Sequence, residues 1–163
     1  MWLDQITNQS TKAILEGKLF CGGYVFSALA AAGTALIHLT GGTKNSLVDV
    51  MINASGKCTV TPYKGTTYSA AGTALALNNR NIGSANVTDA LLKHTPTVNV
   101  LGTACAPILV PGSTGGTGIR VGSGFNDEYG FLLPAGADLL LEITNTSGAA
   151  IDVNPLIVLS ELP

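Results

Sequence analysis

Few residues of this chain combine the types and spacing that chemistry requires. Its 163 residues include two histidines, His38 and His94, far apart in sequence. A metal site on a β-scaffold draws several histidines and a carboxylate from neighbouring strands, and this pair does not supply them. The three cysteines, Cys21, Cys58 and Cys105, are odd in number and lack C-x-x-C spacing, which indicates neither a disulfide framework nor a zinc site. Each sits among apolar or small residues, where a thiol behaves as a small hydrophobe. Reduced, buried thiols are the expectation, in keeping with assembly in a reducing cytoplasm. Ser123, between Gly122 and Gly124, has no adjacent base and no G-x-S-x-G elbow to activate it. The stretch Gly112–Gly118 looks like a phosphate cradle. A P-loop, however, continues through Lys-Ser/Thr into a helix, whereas Ile119-Arg120-Val121 reads as a strand. Asp127-Glu128 could hold Ca²⁺ with Asn126, but a solvated loop before a strand is expected. Tyr63, Tyr68, Phe125, Tyr129 and Phe131 could line a carbohydrate or partner surface, although aromatics in all-β chains more often fill the core. No catalytic residue, cofactor or metal is expected, and the chain reads as non-enzymatic.

The elements that must position these residues are bounded by composition. Charged residues make up 11% of the chain, against about 25% in ordinary soluble domains. Apolar residues reach 46%. Such a chain is poorly suited to life as a soluble monomer and well suited to an obligate oligomer, whose interfaces resemble a core cut in half. The net charge is −2 and the eight basic residues are scattered, which argues against nucleic acid as a partner.

The first residues, Met1-Trp2-Leu3-Asp4-Gln5, lack the basic and apolar regions of a signal peptide. Residues 1–15 read as an N-terminal arm or short helix, capped by Asp4 or Thr7, with Ile6, Ala13, Ile14 and Leu15 as its apolar members. Phe20 to Leu39 is nearly free of charge, which invites a membrane reading. Gly22, Gly23, Gly33 and the modest bulk of the segment favour two consecutive buried strands, and no membrane partner is expected.

Residues 16–163 read as one β-domain. Short apolar or β-branched runs alternate with Gly, Pro, Asn and Ser clusters. The expected strands are Lys18–Ala28, Ala35–Thr40, Val48–Asn53, Cys58–Tyr63, Ala74–Leu77, Val87–Leu92, Val98–Thr103, Ile108–Val110, Gly118–Val121, Glu128–Leu133, Asp138–Asn145 and Pro155–Glu161. Leu139, Leu141 and Ile143 share one face, and Cys58 and Val60 oppose Thr59 and Thr61. Pro62 lacks a ladder N–H, which places its strand at an edge or ends it there. About a dozen short strands and no long helical period predict an all-β sandwich or barrel. Asn78, Asn79 and Asn81 around Arg80 form a polar loop in which side-chain amides can satisfy backbone groups.

Two segments carry a family resemblance. One runs from Val60 to Asn81 and includes Asn78-Asn79-Arg80-Asn81; the other is Leu133-Pro134-Ala-Gly136-Ala-Asp138-Leu-Leu-Leu-Glu142-Ile-Thr-Asn145-Thr-Ser-Gly148. Together they resemble the small jelly-roll virion proteins of tailed bacteriophages, which decorate or cement the head. The resemblance spans roughly residues 16–163. It implies a jelly-roll-like β-sandwich, made in the host cytoplasm, that stands as a homotrimer on the capsid surface and contacts the major capsid protein. The arm residues Trp2, Leu3 and Ile6 are the expected part of that contact, since buried aromatics often anchor interfaces. Arg80 is expected to pair with a carboxylate of a neighbouring subunit. The alternative is a receptor-binding or adhesion module of a tail or head fibre, with a glycan receptor held by an aromatic-lined loop containing Tyr68 and Phe125.

Overall fold

A computed structural model describes residues 9–111, 119–121 and 130–163. In chain order these form α1 (Gln9–Leu15), β1 (Leu19–Gly23), β2 (Phe26–Leu29), β3 (Thr34–Thr40), β4 (Ser46–Ala54), β5 (Cys58–Lys64), β6 (Thr67–Ala70), β7 (Thr73–Leu75) and β8 (Asn78–Asn79). There follow β9 (Leu91–His94), β10 (Thr97–Val100), β11 (Thr103–Ala104), β12 (Ile108–Val110), β13 (Ile119–Val121), β14 (Phe131–Leu133), β15 (Asp138–Asn145) and β16 (Ile151–Glu161).

The protein is an all-β sandwich. In one sheet β13 and β14 lie end to end along one edge of β4, whose other edge carries β16, then β1 and β2, with β8 beyond β1. In the other, β11 and β12 lie end to end along one edge of β5, followed on its other side by β15, β3, β9 and β7. The long strands cross alternately between the sheets, and the first and last of them, β1 and β16, lie side by side. This is the strand order of a jelly roll. Alternation builds the core. Val48, Val50 and Ile52 of β4, Leu139, Leu141 and Ile143 of β15, and Ile157 and Leu159 of β16 all point between the sheets.

Each outer face has its own cover. Ala13 of α1 packs on Leu19 and Val158, outside the first sheet. The second sheet is crossed by an insertion between β5 and β12. Part of it, the two-stranded ribbon β6–β10, joins neither sheet. The ribbon lies over β3 and β15: Tyr68 of β6 stacks on His38 of β3, with ring centroids 4.0 Å apart. Leu140, which points away from the core between Leu139 and Leu141, is nevertheless fully buried. The ribbon's corners all have positive φ, at Gly65, Gly72, Gly102 and Thr95.

Several expected elements differ. Lys18–Ala28 divides into β1 and β2, so Phe20 to Leu39 holds three strands rather than two; no described helix is long and apolar enough to cross a membrane. Val87–Leu92 is a loop up to Ala90, because Ser84 and Thr88 hydroxyls bind the Asn86 and Ala90 amides and compete with a ladder. The last strand begins at Ile151, four residues before Pro155. Leu15 is exposed rather than part of an apolar helix face.

Pro62 is neither at a sheet edge nor at a strand end. It pairs with Leu141 on one side, and its carbonyl accepts from Cys105 N on the other. A residue's N–H and C=O share a side in a strand. The missing N–H of Pro62 therefore faces the break between β11 and β12, where no ladder bond is lost. Pro155 repeats the device. Its carbonyl accepts from Tyr24 N, at the break between β1 and β2. The three cysteines are free thiols; Cys58 is buried, and burial pushes its thiol pKa up, whereas Cys21 and Cys105 are half-buried.

Candidate partner interface

Helix α1 ends in a Schellman turn. Gly17 N donates to Ile14 O and Lys18 N to Ala13 O, with Gly17 at φ +66. A Cβ at Gly17 would run into the Ser84 side chain, so the loop between β8 and β9 sits directly on this turn. Asparagines fasten it. Asn79 Nδ2 donates to Gly17 O (2.9 Å) and Asn86 O (3.0 Å), while its Oδ1 accepts from Asn81 N. Asn81 Oδ1 accepts from Gly83 N, and Asn86 Nδ2 donates to Glu16 O. Arg80 N donates to Leu19 O at 2.8 Å, anchoring the loop to β1. Of the expected polar loop, Asn78 and Asn79 form strand β8, while the side-chain amides of Asn79 and Asn81 satisfy backbone groups as anticipated.

This scaffold holds out apolar side chains. Ile82 is 98% exposed, Val87 86% and Leu15 69%. Arg80 is exposed beside them. Glu16 and Lys18 frame the base: the Lys18 ammonium, 2.8 Å away, holds the Glu16 carboxyl below its ordinary range. Single exposed apolar residues are common; three on one hydrogen-bonded scaffold make this knuckle the candidate contact surface. Trp2, Leu3 and Ile6 lie outside the described residues, as do Phe125 and the Ser123, Gly112–Gly118 and Asp127-Glu128 motifs. Arg80 is legible in the sequence, and Ile82 stands out as a lone apolar residue between Asn81 and Gly83, whereas Val87 reads as the start of the strand expected over Val87–Leu92.

A second polar cluster lies under the ribbon. His38 Nε2 is 2.7 Å from Asp138 Oδ1, and Thr40 Oγ1 donates to the same oxygen at 2.8 Å. The carboxylate accepts, so Nε2 carries the proton. Histidine, aspartate and a hydroxyl meet here, but not as a catalytic relay. In such a relay the carboxylate binds Nδ1 and leaves Nε2 for the nucleophile. Here Asp138 and Thr40 both sit at Nε2, Nδ1 is buried without a hydrogen-bond partner among the described residues, and Tyr68 covers the ring face. The cluster clamps the ribbon. Burial pushes the Tyr68 phenol up to about 12, the Thr66 side chain lowers it, and Asp138 adds to the rise. Tyr68 is half-buried, with one ring face stacked on His38. His94, at the end of β9, stacks on Tyr24 at 3.8 Å. Among the described residues no group of three or more His, Cys, Asp or Glu is placed to hold a metal ion.

No known protein family, curated protein or solved structure matches this chain.

Proposed function

We propose that this chain is a structural virion protein, a decoration or cement subunit that binds the phage head as a homotrimer and stabilises the shell. The observation that carries the reading is the knuckle: Leu15, Ile82 and Val87 held in water by a hydrogen-bonded scaffold, on a chain with only 18 charged residues. A scaffold that fixes apolar groups outward favours recognition, because little side-chain or loop ordering then opposes binding. The jelly-roll strand order and the resemblance in the Asn78–Asn81 and Leu133–Gly148 segments support the choice of partner. The knuckle, together with the arm bearing Trp2, Leu3 and Ile6, is assigned to the major capsid protein, and Arg80 to a carboxylate at that junction. The function is mechanical: each trimer spans neighbouring shell subunits and resists their separation.

Co-pelleting with heads stripped of this protein tests the reading. Ile82→Asp should weaken head binding by at least about tenfold, as expected for loss of an interface anchor, with an unchanged circular dichroism spectrum. Undiminished binding by Ile82→Asp and by a chain lacking residues 1–15 would remove the assignment.

A further inference from the structure

The open side of the sandwich holds a cleft of about 580 Å³ that the proposed function leaves unused. Its walls are β2 with the preceding Tyr24 and Val25, the start of β3, and Thr95. None of the lining residues carries an ionisable acid or base, apart from the phenol of Tyr24.

Both bordering strands present main-chain groups with no partner among the described residues. In β3, Asn145 N donates to Gly33 O, so residues 33, 35 and 37 turn their backbone groups towards β15. Thr34 and Leu36 turn theirs the other way. On that side β9 pairs only with Ile37–Thr40, and Thr95 N takes the Leu36 carbonyl. The Thr34 N–H and C=O and the Leu36 N–H consequently face the cleft with no described strand beside them. In β2, Tyr24 N donates to Pro155 O, and Phe26 pairs with Val153. Val25 and Ser27 therefore turn their backbone groups outward, also into the cleft. Val25 is 53% exposed.

The backbone around the cleft is held in sparsely populated conformations. Ala28 has φ 52, Ala32 φ 59 and Thr95 φ 53. For a β-branched residue such as Thr95 this is a genuine outlier. Surrounding bonds fix each of them: Ala28 N to Asp152 Oδ1, Ala32 N to Asn145 O and Thr95 N to Leu36 O. Strain of this kind persists only where the structure over-determines it, and it gathers at ligand clamps. The left-handed turn at Thr95 is what carries the chain away from β3 and leaves Thr34–Leu36 open.

We infer that the cleft receives one extended strand of a partner polypeptide, added to the open edge of β3, with uncharged side chains entering between β2 and β3. The spacing selects this occupant. Backbone groups of Thr34 and Leu36 recur every two residues, roughly 6.8 Å along the strand, which is the repeat of an extended peptide. Main-chain bonds then supply affinity and the uncharged walls select the side chains. The inference rests on the sheet edges alone and does not depend on the role at a phage head.

A blocked Thr-Val-Thr-Val-Thr-Val peptide and a copy N-methylated at alternate residues are suitable probes. The whole chain is followed by residue-resolved amide hydrogen exchange. The plain peptide should slow exchange of the Thr34 and Leu36 amides by about tenfold or more, as new hydrogen bonds do, and the N-methylated copy should not. Thr34→Pro removes the outward N–H without touching the β15 ladder and should abolish the effect, while Thr34→Val should keep it. Protection confined to other amides, equal protection by the N-methylated peptide, or no protection at millimolar peptide would overturn the inference.

Discussion

The two sheets and the segment inserted between β5 and β12 are held by different forces. Between the sheets, apolar side chains interdigitate along long regular ladders such as β4 on β16, paired from Ser46 to Ala54. The insertion has short strands, and the β6–β10 pairing shifts register between Thr97 and Val98 and again before Val100. Its shape comes from side chains that bind backbone: Asn79, Asn81 and Asn86 at the knuckle, and Thr66 donating to Leu101 O at 2.6 Å under the ribbon. The sandwich supplies stability, and the insertion spends little of its length on the core while shaping the surface. The difference shows how a fold with few charges can still hold a defined outer surface.

The largest expected effect falls on the sandwich. Leu141 is 1% exposed, so Leu141→Ala should cost about 2–5 kcal/mol through lost transfer energy and a residual cavity. Denaturant unfolding would measure it, and the loss should appear in one cooperative transition. A cost below 1 kcal/mol would mean that the sheets are not the main source of stability.

Asn79→Ala probes the other region. It removes a donor shared by two carbonyls and an acceptor for Asn81 N. The expected cost is about 1–3 kcal/mol, with faster amide exchange over residues 80–87 and little change in β4 and β16. Equal acceleration in both places would erase the distinction between the two regions.

The smallest effect is a pH dependence of the ribbon. Burial raises the Tyr68 pKa from 10.0 to about 12 in the folded chain. The folded state therefore holds the phenol proton more tightly than the unfolded one, and this contribution to stability is whole below pH 10 and lost as pH rises towards 12. Stability followed across that window should decline less in Tyr68→Phe than in the parent chain. Identical declines would assign the effect to other groups.

The legibility of the sequence divides along the same line. Leu139, Leu141 and Ile143 reveal their strand because alternate residues of a strand share one face. Pro62 misled, since its missing N–H signals an edge unless the neighbouring strand is itself broken there, and that depends on residues more than 40 positions later. Strand β6, Thr67-Tyr-Ser-Ala70, has no apolar alternation to read, because only Tyr68 meets the sheet below. The His38–Asp138 contact joins residues that only the β3–β15 register brings together. At the candidate interface, the polar loop around Arg80 was readable from its asparagines. The outward placement of Ile82 and Val87 depends on Asn79 and Asn86 tying that loop to the end of α1, a long-range contact that local sequence does not encode.

The most direct test of the central claim is the mass of the purified chain in solution, measured by sedimentation equilibrium over a range of concentrations. An assembly subunit short of charge should sediment as a trimer, three times the 16.6 kDa of the chain, down to micromolar concentration. A well-behaved monomer throughout that range would contradict the account.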